Sequence, residues 1–146
     1  MYQRILTATD FSESSQDAVR TASNLAKAFQ AELILLHVYV PMTPPPDMFI
    51  SSPDWYKYEL AWREAAEPRL KTIVQKLIDP SVHVKTLILS GLPAQTIDKC
   101  AADEKADLIV IATHGMTGWR HYVMGSVSQK VIQHSPLPVL LVRSSK

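Results

Sequence analysis

Glycine is scarce in this chain, and three of its four glycines, Gly115, Gly118 and Gly125, fall close together. The fourth is Gly91. Glycine turns the backbone at little steric cost and lets a ligand approach the chain closely. Gly125 is followed at once by Ser126, and the stretch from Ser126 to His134 carries Val127, Val131 and Ile132 at helical spacing. A glycine turn opening into a helix offers free backbone N–H groups at the positive end of the helix dipole, and the Ser126 hydroxyl adds a donor. That combination suits a phosphate. It is not a Walker A loop, because no Lys-Ser or Lys-Thr pair follows the last glycine.

A second group of reactive residues follows an apolar run near the start of the chain: Thr9-Asp10-Phe11-Ser12. The Asp10 carboxylate has two open readings, one as an acceptor for ligand hydroxyls and one as a cap for its own turn or the next helix. His37 sits in an apolar run and reads as a hydrogen-bonded core histidine. His114, before Gly115, is open between a turn role and a phosphate contact. Arg120 and His121 lie between the glycines, where a solvated surface is the plain reading and a phosphate contact the other. Trp119, beside them, is open between an exposed loop aromatic and a partner contact. Cys100 is the lone cysteine, so no internal disulfide is available, and its neighbours Ile97 and Ala101 mark it as a buried structural thiol. Asp98, Asp103 and Glu104 read as a solvated helix face rather than paired catalytic acids. No G-x-S-x-G elbow is present to support a nucleophilic serine.

Five strand candidates would hold these groups in place: the apolar runs Ile5 to Ala8, Leu33 to Val40, Leu108 to Ala112 and Val139 to Val142, and Val82 to Leu89, which alternates. Most are apolar throughout, as strands buried on both faces are. Helical patterns alternate with them. Ser12 to Phe29 has Ser12 or Ser14 as candidate N-cap, Trp55 to Ile78 should be kinked or split at Pro68, and Pro93 to Asp103 begins on a proline. Strands alternating with helices predict a parallel sheet with helices on both faces. Ligands of such sheets sit beyond the carboxyl ends of the strands, where strand order reverses. Ala8-Thr9-Asp10 and Ala112-Thr113-His114-Gly115 occupy two such ends.

The chain of 146 residues fits one domain, and its near balance of 15 basic and 14 acidic residues, with no basic run, argues against nucleic acid as a partner. The first apolar run is too short for a signal sequence or a membrane span, so a cytoplasmic location without membrane contact is expected. Pro41 to Pro53, with Pro44, Pro45 and Pro46 in a row, reads as an extended surface loop, with a lid over the site as the alternative.

The segment from Ala112 to Ser126 resembles the ATP motif of the universal stress protein family, G-x2-G-x9-G-[ST]. Gly115, nine intervening residues and Gly125-Ser126 fit it, while Ala112 stands where the first glycine belongs. Ile5 to Glu13, Leu35-Leu36-His37-Val38, Gly91-Leu92-Pro93-Ala94 and Ser135 to Val139 resemble the family as well, so the likeness runs from end to end. It implies a three-layer, Rossmann-like α/β fold with a five-stranded parallel sheet in the order 3-2-1-4-5. It also implies ATP, or ADP or AMP, as ligand, with Mg²⁺ carried by the nucleotide. Asp10 would meet the ribose hydroxyls and the backbone at Val38 the adenine edge. Ala112 and Gly115 would pass close to ribose and phosphates, and Gly125, Ser126 and Val127 would donate to the phosphates. Ala8, Thr9, His114 and Gly118 complete the expected lining. The methyl of Ala112 is expected to weaken binding, and to be nearly silent if the position has strand geometry. A homodimer through the last strand, Val139 to Val142, is implied too. With no evident base, nucleophile or metal ligands, the expected activity is that of a nucleotide-gated stress-response binder. A slow ATPase or adenylyl-transferring enzyme, and a partner-binding module that has lost its nucleotide, remain the alternatives.

Overall fold

The computed structural model describes residues 1–41, 54–114 and 124–143. Nine elements alternate along them: β1 Arg4–Ala8, α1 Glu13–Phe29, β2 Glu32–Tyr39, α2 Asp54–Leu77, β3 Val84–Ser90, α3 Pro93–Asp103, β4 Leu108–Ala112, α4 Ser126–His134 and β5 Val139–Val142. The strands form one parallel sheet in the order β3-β2-β1-β4-β5, as expected.

Uninterrupted apolar strands are explained by two separate cores, one on each face of the sheet. Successive side chains of a strand point to opposite faces. Ile5, Leu33, Leu35, Leu108 and Val110 therefore join Val19, Ala22 and Ala26 of α1 and Leu70 and Ile73 of α2. Their neighbours Leu6, Ile34, Leu36, Ile109 and Ile111 join Ile97, Cys100 and Ala101 of α3 and Val131 of α4. β1 lies at the centre, with Ile5 and Leu6 both fully buried. Each such side chain contributes about 1.5–3 kcal/mol by leaving water. Cys100 lies in the second core as expected, and burial, with Glu104 and Asp103 nearby, pushes its thiol up to about 11.

Helix α1 starts where its cap directs. The Ser12 hydroxyl accepts from the Ser15 amide at 3.2 Å, which identifies Ser12 rather than Ser14 as the N-cap. Three expectations need correction. Pro68 does not split α2, because the helix runs unbroken past it. Ala66 and Leu70, on either side of that exposed proline, are both buried and hold the axis through the missing hydrogen bond. The third strand begins at Val84, not Val82. Val82 is held in a turn by its amide donating to Asp79 O at 3.0 Å, while the Asp79 carboxylate accepts from the Ser81 amide and hydroxyl. The second strand ends at Tyr39, leaving Val40 more than half exposed. Residues 42–53 of the proline-rich stretch lie outside the described residues.

Candidate functional site

β1 and β4 pair side by side through Thr7↔Val110, and the paired register stops there. The outer pairings continue further, to Ala8↔Leu36 on one side and Ala112↔Val142 on the other. The two central strands thus part at their carboxyl ends. α1 then departs over one face of the sheet and α4 over the other. Parting of this kind makes a crevice at the reversal of strand order.

A cleft of about 260 Å³ occupies that crevice. Of the expected residues, Ala8, Thr9 and Asp10 line it from β1 and the turn after it, and Val38 from β2. Ala112, His114, Gly125, Ser126 and Val127 line it from β4 and the start of α4. Gly115 and Gly118 lie outside the described residues, as do Trp119, Arg120 and His121. The lining also includes Ser15, Pro93, Ile97, Ile111 and Ser128, which were not singled out beforehand. Pro93 and Ile97 carried a usable signal, since α3 begins just past the carboxyl end of β3 and Ile97 sits one turn along it. Gly91, which leads into α3, has φ 146°, and a Cβ there would meet Thr96 Oγ1 at 2.5 Å. Only glycine fits that approach.

The Asp10 turn is closed locally. Asp10 Oδ1 accepts from the Ser12 amide at 3.0 Å and from the Ser12 hydroxyl at 2.5 Å. Turn capping therefore holds for this carboxylate, and the same residue also borders the cleft. Thr9 is tied from three directions: its amide donates to Leu36 O at 2.9 Å, its hydroxyl meets Ser15 Oγ at 2.9 Å, and its carbonyl lies 2.8 Å from His37 Nδ1. A carbonyl only accepts, so His37 donates from Nδ1. His37 is the hydrogen-bonded histidine that its apolar surroundings suggested, although half-buried rather than fully buried.

Val38 presents its backbone to the cleft for a geometric reason. Along a parallel strand, N–H and C=O groups point alternately to the two neighbours. Leu36 O serves the Thr9 amide on the β1 side, so Val38, two residues on, faces the same side beyond the last paired residue of β1.

On the opposite wall, Gly125 has φ −59°, a conformation open to any residue. Its glycine is favoured by proximity instead: a Cβ would lie 3.1 Å from Thr113 O, a tight contact. The Gly125 amide donates to that same carbonyl at 2.6 Å. It is therefore already engaged, and the open donors of the helix start at Ser126. The first N–H groups of an α-helix have no partner within it, and among the described residues nothing else accepts from Ser126, Val127 or Ser128. The Ser128 hydroxyl lies 3.1 Å from Thr113 O and 2.9 Å from Gly125 O, which fixes the first turn of α4 to the end of β4. His114 turns inward on Thr113, with Nδ1 2.8 Å from Oγ1. Ala112 belongs to β4 and is not among the residues with positive φ, so its methyl costs the backbone nothing.

The acidic residues of α3 and its C-cap separate. Glu104 pairs with Lys85 at 2.6 Å, whereas Asp98 departs from a solvated face, because its Oδ1 is buried without a partner. Among the described residues no three His, Cys, Asp or Glu side chains stand together as metal ligands, and no helix is long and apolar enough to cross a membrane.

Comparison with known proteins agrees with the fold. The model of the Universal stress protein family matches residues 1–143. The chain is 35% identical to Universal stress protein MJ0531 of Methanocaldococcus jannaschii, over all of this chain and 85% of that one. It is 33% identical to Universal stress protein MJ0577 of the same organism, over 98% of this chain and 96% of that one. The solved structure of MJ0577 superposes with a TM-score of 0.82, covering all of this chain and 99% of that one. A universal stress protein solved in complex with cAMP is 28% identical, with a TM-score of 0.64, over 99% of this chain and 98% of that one. With its five-stranded order, its parted central strands and this match along nearly the whole sequence, the chain belongs to the universal stress protein family.

Proposed function

We propose that this chain is an ATP-binding stress-response protein, acting as one domain that changes partners with its nucleotide state rather than as a fast enzyme. One observation carries the reading. The open N–H groups of Ser126, Val127 and Ser128 stand at one wall of the β1/β4 crevice and the Asp10 carboxylate at the other. Helix N-terminal donors suit phosphate oxygens, and a carboxylate suits the two hydroxyls of a ribose. Between them the backbone of Val38 offers a donor and an acceptor to a base edge, with Pro93 and Ile97 supplying apolar wall. The relative solved with cAMP supports an adenine nucleotide as the class of ligand. ADP and AMP use the same donors with fewer phosphates. Mg²⁺ enters with the nucleotide, held mainly through its phosphates.

A cytoplasmic homodimer accompanies this reading. β5 is an edge of the sheet, and Leu140 on it is 38% exposed. An apolar unpaired edge favours pairing with its own copy. Sedimentation at micromolar concentration should give twice the chain mass, and a monomer would overturn the dimer.

Titration calorimetry with Mg-ATP tests the main reading. Saturable heat that AMP and ADP compete away is expected; no heat at millimolar nucleotide overturns it. Turnover of labelled ATP, with Gly125→Val as control, separates the binder from a slow ATPase.

A further inference from the structure

Three side chains, from α2, β2 and the turn after β1, pack together in a row. The Arg69 guanidinium of α2 lies 3.9 Å from the centroid of the Phe11 ring. The Phe11 ring in turn lies 4.4 Å from the His37 ring of β2, tilted by 40°. Phe11 immediately follows Asp10, and neither it nor Arg69 nor His37 lines the nucleotide cleft. Its ring and Arg69 border a different cavity of about 250 Å³, between the Phe11 turn and α2.

The backbone at Phe11 is unusual. Its φ is 69°, a left-handed conformation that is an outlier for a bulky aromatic residue. Such a residue persists only where its surroundings over-determine it. Here they do. The Phe11 amide donates to Thr9 Oγ1 at 3.0 Å, its carbonyl accepts from Gln16 Nε2 at 3.2 Å, and its ring touches both the His37 ring and the Arg69 guanidinium. His37 serves twice, contacting the ring and donating to Thr9 O. The residues before and after Asp10 are thus held by β2, α1 and α2, while Asp10 itself borders the cleft.

We propose that the Arg69–Phe11–His37 stack is a positioning device, which aims the Asp10 carboxylate so that α2 and β2 set how strongly the cleft discriminates a ribose by its hydroxyls. Phe11 is the central positioning residue, and Arg69 is the handle through which movement of α2 reaches the site. This rests on the nucleotide reading above, so its test has one arm that needs no nucleotide.

In the first arm, ATP and 2′,3′-dideoxy-ATP are titrated against the wild type, Phe11→Gly and Arg69→Met. Glycine accepts the left-handed backbone, and Arg69 is exposed, so both variants should keep the fold, as circular dichroism would report. ATP affinity should fall about tenfold in Phe11→Gly and several-fold in Arg69→Met, while dideoxy-ATP stays within about twofold. Equal losses for both nucleotides, or no loss for either, overturn the proposal. In the second arm, amide exchange is followed in the unliganded proteins. The Ser12 amide, which donates to Asp10, should lose protection about tenfold in Phe11→Gly, while Ala22 and Ala26 in mid-α1 are unchanged. Unaltered Ser12 protection overturns the positioning role even where the wild type binds neither nucleotide, an outcome that by itself would end only the nucleotide reading.

Discussion

Asp10 and Ser12 are joined twice, because one carboxylate oxygen of Asp10 receives both the amide and the hydroxyl of Ser12. The bond that closes the turn and the proposed contact with a ribose therefore belong to the same side chain. Asp10→Asn keeps an oxygen to close the turn and removes the charge. Hydrogen bonds to charged groups contribute about 1.5–3 kcal/mol, so ATP affinity should fall by roughly 10- to 100-fold. Calorimetry should show dideoxy-ATP unaffected, and thermal unfolding should be little changed. A large drop in Tm would mean that the charge serves the fold rather than the ligand.

Gly125 is confined by the Thr113 carbonyl and not by its own dihedral angle. In Gly125→Ala the added methyl sits 3.1 Å from that oxygen, so the neighbour must yield slightly. Alanine is also a poor N-cap, and the two effects together should cost about 1 kcal/mol in chemical denaturation. Gly125→Val should cost more and should weaken ATP in proportion, since the donors of Ser126 and Val127 move with the helix start. Unchanged denaturation of Gly125→Val would remove the steric argument.

Ala112 occupies the place of the first motif glycine, yet it has strand geometry beside Val142. Restoring the glycine should therefore do little for the backbone at the ligand. Ala112→Gly is expected to lower stability by about 0.5–1 kcal/mol, as glycine does within a strand. It should change ATP affinity by less than about tenfold, read by the same titration. A larger gain would show that the methyl itself obstructs the nucleotide.

Lys27, in the last turn of α1, holds Asp79 at 2.6 Å. The Lys27 ammonium first, and then the Ser81 hydroxyl and amide, lower the Asp79 carboxyl well below the usual carboxylate range. A depressed pKa means that the folded protein binds fewer protons than the unfolded chain in acid. The stabilisation is present above the unfolded pKa of about 3.9 and is lost as pH falls below it. Denaturation midpoints of the wild type and Asp79→Asn should differ at neutral pH, draw together progressively as pH falls below about 4, and meet in strong acid. A gap that persists in strong acid would refute the ion pair as its cause.

Much of this architecture was readable residue by residue. Leu108 to Ala112, Val139 to Val142, Pro93 to Asp103 and Ser126 to His134 have the bounds that their apolar runs and first residues suggest. Burial on both faces leaves an unbroken apolar run, and a proline starts a helix cleanly. What stayed hidden depends on distant neighbours. The turn around Asp79 that delays β3 consists of local side-chain bonds competing with the strand. The reason for glycine at position 125 is a carbonyl twelve positions away, and the strain at Phe11 is visible only once Arg69 and His37 close on its ring. Pro93 and Ile97 became cleft residues because α3 starts at the rim, which depends on where β3 joins the sheet.

The bond from Gly125 to Thr113, reinforced by Ser128, has one further consequence. It clamps together the two ends of the span 114–124. With the helix start tied directly to the strand end, its register does not depend on the length of the connection, and doubling a loop's length costs only about 0.6 kcal/mol in closure entropy. The helix donors are referenced to β4 and not to the connection. The start of α4 therefore stays in register with the end of β4.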